Sequence, residues 1–491
     1  MKVDALIIGS GVAGLCAALS AQGEVLVVSE MGPTEVLSSM AQGGISAAIS
    51  PEDSAQQHAI DTFKAGGEIA SYDRIERFCQ EAPEAIAWLE QLGAPFVRRA
   101  EGALAVRQMA GHTHPRTLYA ADYTGLRLVQ TLYDQALKAG VRFLSHHTLY
   151  SLSHHQGAIG GAVLLDRFAQ RPVSIAADRV ILATGGYGGI FTPHATTGAF
   201  GSGRAIALAA EAGAVLDGLH LMQFHPTALL SGQLLSEALR GYGAQLIDEQ
   251  GERFSDEQLP RDQLSRAIVR HREAGHHTFL DLRTIDAAIL EEHLAQELLL
   301  ARCYAGVDPR TEPVAIAPAA HYSMGGIQTD ERGRTAVEGL LACGECVQSG
   351  IHGANRLGGN SLLEAVIAGR RAGAESGYCG VAHDASLEPA QIALSRWAQG
   401  EPIALGQWRR SLGSVLFHQA GVIRSQARLQ SAQAALGPLK AALKAAAPSV
   451  GPYLRSVSAY LDAQAALVLA EGVIEAAIKA PPVGAHYKEE S

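Results

Sequence analysis

The chain opens on an apolar run from Asp4 to Ile8, then passes through Gly9-Ser10-Gly11-Val12-Ala13-Gly14. A small-residue stretch, Leu15 to Ala21, follows, and a second apolar run spans Glu24 to Ser29. This pattern predicts strand, glycine turn, helix and buried strand, a βαβ opening. Residues 31–120 are glycine- and polar-rich, with short helices predicted around 55–65 and 74–92. A further strand is predicted at Arg179-Val180-Ile181-Leu182-Ala183-Thr184, ended by Gly185-Gly186-Tyr187-Gly188-Gly189. Another is predicted at Gly339-Leu340-Leu341-Ala342, ended by Cys343-Gly344-Glu345. From about residue 385 the composition shifts to Ala, Leu, Gln and Arg with helical periodicity, as in Trp408 to Leu436 and Tyr453 to Lys479. Residues 481–491 are expected to form a mobile tail.

A chain of 491 residues is long enough for two to four domains. The late return of strands to the opening unit implies an insertion. The expected fold is α/β: a Rossmann-like dinucleotide-binding domain over 1–220 and 326–384, an inserted α+β domain over 221–325, and a helical domain over 385–480. G-x-G-x-x-G sits where strand gives way to helix, as a dinucleotide site requires. Glycine lets backbone approach a pyrophosphate, and the helix N-terminus faces its charge.

Composition narrows the partners. A formal charge of −10 argues against nucleic acid or an anionic membrane surface. No apolar run approaches the ~18 residues of a membrane span, and no secretory signal is visible at the N-terminus. Six cysteines at irregular positions point to a reducing cytoplasm. Cys343-Gly344-Glu345-Cys346 spells C-x-x-C, but it lacks the second ligand pair of a zinc site.

Two further segments carry chemistry: Ala319-Ala320-His321-Tyr322-Ser323-Met324-Gly325-Gly326, and Ile351-His352-Gly353-Ala354-Asn355-Arg356-Leu357-Gly358-Gly359-Asn360-Ser361-Leu362. Both join cationic side chains to glycine turns, which suits a small dianion held against a planar cofactor. Together with the opening motif they resemble the succinate dehydrogenase/fumarate reductase flavoprotein family, and within it the soluble L-aspartate oxidases. The resemblance implies an FAD cofactor and an inserted capping domain. Ser38-Ser39-Met40-Ala41-Gln42-Gly43-Gly44 resembles the loop facing the isoalloxazine. Ser38 stands where membrane-bound members carry the covalently linked histidine, so non-covalent FAD is expected. Glu345 resembles the acid that meets the ribityl chain, and Ser361-Leu362 the pair beside the ring. Thr184 and Gly185 are placed at the cofactor as well.

On the substrate side, a C4 dicarboxylate needs positive charge and planar donors. The resemblance places His225, Ser236, His321 and Arg356 at the substrate. It makes Arg261 the proton-transfer group, served by Glu237 and Arg240. It implies hydride transfer between a substrate carbon and flavin N5. L-Aspartate would become iminosuccinate, with dioxygen or fumarate as electron acceptor and quinolinate synthase as the next enzyme towards NAD. The alternatives are a soluble fumarate reductase or a flavoprotein-like binding protein with weakened catalysis.

Three positions depart from the oxidase pattern. Met109 replaces a glutamate expected to meet the substrate ammonium. Arg204 replaces an aspartate that contributes to FAD binding, which puts cofactor affinity in question. Glu30 replaces a lysine and is suited to accept from a ribose hydroxyl. His112 and His114 receive no role and are expected to be solvated.

Overall fold

The structure, a computed structural model, describes residues 1–491 apart from 122, 199, 398–403, 447, 449–453, 490 and 491. Its main sheet is built on parallel strands. Lys2–Ile8 lies between Val25–Val28 and Arg171–Leu182, with Arg142–Leu144 outside Val25–Val28. Leu340–Ala342 pairs in parallel with the end of Arg171–Leu182, which also continues antiparallel into Ala158–Asp166 and His147–His155.

Alternation along the central strands divides the core. Leu6, Ile8, Leu26, Val180 and Leu182 enter one apolar cluster, and Ala5, Ile7, Val25, Val27 and Ile181 enter another. Apolar runs without polar interruption are therefore what a sheet covered on both faces demands. One face is covered by the helices Val12–Ser20 and Asn360–Ala374, which approach closely because Gly369 and Gly373 lie against the backbone of Ala13 and Ala17. The other face shares its core with the C-terminal helices Leu405–Ala420, Gln426–Ala445 and Arg455–Lys479.

The helical periodicity from Trp408 to Leu436 falls on two helices separated at 421–425, where Ser425 caps the second by accepting from Arg428 N. The start expected at Tyr453 lies outside the described residues. The tail expectation is corrected over 481–489. His486 and Ala485 are buried, and Glu489 N donates to Arg424 O while Arg424 N donates to Tyr487 O. Residues 490 and 491 lie outside the described residues.

Between the returning strands sits a four-stranded antiparallel sheet in the order Met222–Leu229, Val314–Ser323, Phe279–Asp281, Gln245–Ile247. The helix Arg261–Glu273 packs against it through Leu264 and Ile268. Among the described residues no helix is long and apolar enough to cross a membrane.

Candidate active site and its relatives

Strand ends set the floor of the site. Gly9 has φ +114, and a side chain there would strike the Ala183 carbonyl. The backbone can turn this tightly only at glycine. Beyond these strand ends lie two cavities of about 380 and 360 Å³ that share Gly11, Leu37, Ser38, Ala183 and Gly185, and so form one trough.

The smaller cavity is lined by Gly9, Ser10, Glu30, Thr184 and Arg204; the larger is lined by Ala13, the loop Ser38 to Gly44, Glu345, Ser361 and Leu362. Val12 and Gly14 line neither. Val12 N donates to Ser38 Oγ at 3.3 Å, and Gly14 leaves room for the Gly9 carbonyl.

Three buried polar atoms on the trough, Ser10 Oγ, Gln42 Oε1 and Thr184 Oγ1, have no partner in the protein. Buried groups of this kind are normally satisfied, so a long polar ligand fits here. Glu345 accepts from Ser323 N at 3.0 Å and Ser323 Oγ at 3.1 Å. Burial pushes its carboxyl up to about 7 against those bonds.

The larger cavity also receives His225, Ser236, Glu237, Arg261, His321 and Arg356, together with Met109. His225 is buried on the strand Met222–Leu229, and its Nδ1 lies 3.3 Å from Thr227 N. Accepting that N–H places the imidazole's own proton on Nε2. His321 Nδ1 lies 3.0 Å from Thr196 Oγ1, and the two rings meet edge-on at 5.2 Å. Burial, then the Arg261 guanidinium, holds both imidazoles well below the ordinary histidine range. Both are neutral, and His225 offers its N–H from Nε2.

Arg356 is buried over the Tyr322 ring, 4.4 Å from its centroid. Its Nη1 reaches only the Leu357 carbonyl at 3.4 Å, and its Nε has no partner. Burial and the nearby Arg261 lower its pKa to about 10, so it keeps its charge.

Arg261 begins the helix Arg261–Glu273. Its Nε donates to Glu237 Oε2 at 3.0 Å, and its Nη1 to Gln223 Oε1 at 3.0 Å. Arg240 lines neither cavity; it lies behind Glu237, with Nη2 3.2 Å from Oε1 and Nη1 donating to Glu257 O at 2.6 Å. Burial raises the Glu237 carboxyl, but Arg261 and Arg240 overcome this and hold it below its ordinary value.

Some participants were missed. Gln223 Nε2 donates to Asn355 Oδ1 and to Arg356 O, both at 2.8 Å, so one side chain ties Arg261 to Arg356. The signal lay in its place two residues before His225 on one strand. His112, expected to be solvated, is buried with Nε2 3.0 Å from Gly358 O.

Arg204 finds its partners within the fold. Its Nη2 donates to Asp462 Oδ1 at 2.6 Å and to Ser458 O at 2.9 Å, and its Nη1 lies 3.5 Å from Glu30 Oε1. Glu30 in turn accepts from Thr148 Oγ1 at 2.9 Å and from the Ser458 hydroxyl. Both departures thus join one charge cluster at the trough. Cys343 and Cys346 are buried free thiols, and Cys346 Sγ points to the carbonyls of Leu182 and Cys343.

A family model described as an FAD binding domain matches residues 4–362. The chain is a flavoprotein of the succinate dehydrogenase/fumarate reductase family. FAD is its cofactor. The flavoprotein is 37% identical to the 8-methylmenaquinol:fumarate reductase flavoprotein subunit of Wolinella succinogenes, covering 87% of this chain and 75% of that one. It is 41% identical to an L-aspartate oxidase of Mesorhizobium japonicum, covering 74% of this chain and 72% of that one. Its fold superposes on a quinol-fumarate reductase solved with menaquinol molecules at a TM-score of 0.94 and 29% identity, covering 100% of this chain and 92% of that one.

Proposed function

We propose that the flavoprotein oxidises L-aspartate to iminosuccinate, with dioxygen or fumarate as electron acceptor. Its product would pass to quinolinate synthase on the way to NAD. The observation that carries the dicarboxylate reading is Arg356, a buried cation with an unpaired Nε on the wall it shares with Arg261, His225 and His321. A buried charge without a counter-ion is costly. A substrate carboxylate supplies the missing partner, and the second carboxylate meets the two imidazoles.

Bound FAD supplies the two-electron acceptor for the substrate C–H. The protein's part is position and charge. Gln223 and Glu237 hold the Arg261 guanidinium at the cavity wall, where it exchanges a proton with the substrate. Glu237 and Arg240 continue that contact inwards. The aspartate reading is supported by the segment Gln419 to Arg424 with Arg428-Leu429, which resembles the oxidases, and by identities of 35% and 41% to two curated L-aspartate oxidases.

Met109 favours a second reading, fumarate reduction. Its methyl group faces Gly43 and Gly358 in the cavity, where an ammonium group requires a carboxylate. The test is anaerobic mixing of FAD-loaded protein with L-aspartate, and with succinate in parallel, while following the flavin's visible absorbance. Bleaching by aspartate alone supports the oxidase. Bleaching by succinate alone, or reoxidation of chemically reduced protein by fumarate with no response to aspartate, overturns it in favour of the second reading.

A further inference from the structure

Away from the trough, the edge of the capping sheet brings together three side chains that the flavin chemistry does not use. Strand Gln245–Ile247 runs into a turn at Asp248, and helix Arg261–Glu273 ends one residue beyond Arg272. Gly275, with φ +99, reverses the chain towards strand Phe279–Asp281. Because Ile247 pairs with Phe279, the Asp248 turn and the reversal face each other. Asp248, His271 and His276 meet there, with one ligand atom of each within 4.8 Å of the others.

Each of the three presents a free ligand atom. Asp248 Oδ1 accepts the turn's own N–H groups, from Gln250 at 2.9 Å and Glu252 at 3.0 Å, while Oδ2 lies 3.7 Å from His271 Nε2. That Nε2 is buried and has no hydrogen-bond partner. The His271 ring is held flat between Phe254, centroids 4.2 Å apart, and His276, 4.3 Å apart. His276 Nδ1 lies 3.1 Å from Glu249 Oε1, and Glu249 Oε2 accepts from His277 N at 2.8 Å. A carboxylate on one imidazole nitrogen fixes the proton there and leaves the other as a ligand, the arrangement that supports metal-bound histidines.

We propose that Asp248, His271 and His276 form a divalent-metal site, with Glu249 orienting His276. Two imidazoles and one carboxylate suit Zn²⁺ or a similar borderline cation, with water completing the coordination. Asp248 Oδ2 and His271 Nε2, 3.7 Å apart, already lie near the spacing of two ligands on one zinc ion; the half-exposed His276 turns off the face of His271 to bring its own nitrogen to the ion. The ion sits near the C-terminal end of the Arg261–Glu273 helix, where its charge is favoured. Ten residues along that helix place it about 15 Å from Arg261. It therefore staples the turn at Asp248 to the helix and to the following strand, without entering the substrate cavity.

The test uses the FAD-loaded chain, freed of metal by chelation and titrated calorimetrically with Zn²⁺ alone. One ion per chain is expected. His271→Ala and His276→Ala should each weaken binding at least tenfold, with flavin absorbance and circular dichroism unchanged. Glu249→Gln should weaken it by roughly 10-fold or more. Co²⁺ in place of Zn²⁺ should give visible ligand-field bands that the histidine variants lack. No binding to the native chain, or unchanged binding to the double variant His271→Ala/His276→Ala, means an adventitious ion only and overturns the site.

Discussion

Arg261 is held on two sides, by the Glu237 carboxylate and by the Gln223 amide, so its guanidinium has little freedom to leave the cavity wall. Replacing it with leucine removes the proposed proton-transfer group and strips Glu237 of one of its two arginines. We predict that Arg261→Leu retains FAD but loses fumarate reduction by roughly 10²–10⁴-fold or more, the range of a general acid. Arg261→Lys keeps the charge beside Glu237 and separates loss of chemistry from loss of fold. Retained reductase activity in Arg261→Leu would remove the proposed role. Met109 decides a different matter. In the proposed oxidase it brings a thioether where the substrate ammonium is expected, and both oxygens of Glu237 already face arginines. Met109→Glu should therefore raise kcat/KM for L-aspartate relative to succinate by about tenfold or more, the worth of one charge-assisted hydrogen bond. Steady-state kinetics on both substrates measures the ratio, and an unchanged ratio means that the ammonium is met elsewhere.

Elements built from contiguous pattern were readable: the opening strand, turn and helix, the strands ending near Thr184 and Ala342, and the helices around 55–65 and 74–92 all follow local periodicity. The loop Ser38 to Gly44 and the cationic side chains were legible as motifs, yet their meeting in one cavity depends on contacts that cross hundreds of residues. Arg204 shows the limit. Its partner Asp462 lies 258 positions further on, on helix Arg455–Lys479, so nothing near Arg204 announces the compensation. His112 and the tail were misread for the same reason; their cover comes from Gly358 and Arg424. The cluster makes the last helix part of the trough wall, because Ser458 and Asp462 line it beside Glu30. We predict that Asp462→Ala weakens FAD binding by about tenfold and lowers Tm, since breaking a buried pair leaves Arg204 undercompensated. Fluorescence titration with FAD and thermal unfolding separate the two effects. A lower Tm with unchanged FAD affinity would make the contact purely structural.

Across the whole molecule, neutral histidines recur where the chain closes on itself. Burial lowers His58 and His486 to about 3, and His112, His194 and His220 to about 4, while His225 and His321 are held well below the ordinary value of 6.5. They belong to the flavin side, the capping sheet and the docked tail, so the effect is spread over the fold. In the unfolded chain each takes up a proton near pH 6.5, while the folded chain refuses it. Stability from these groups is therefore complete above about pH 6.5 and is lost as pH falls towards 4, by up to about 1.4 kcal/mol per pH unit for each fully buried ring. Glu345, raised to about 7 by burial, acts in the opposite sense between its unfolded and folded values. Burial raises the Asp462 carboxyl as well, so two groups stand against four buried histidines, His58, His112, His225 and His486. Denaturant unfolding of the FAD-free protein should show a lower midpoint at about pH 5.5 than at about pH 7.5. His486→Asn removes one titrating ring beside Arg424 and should reduce that difference. An equal or higher midpoint in acid would mean that these imidazoles accept protons in the folded chain.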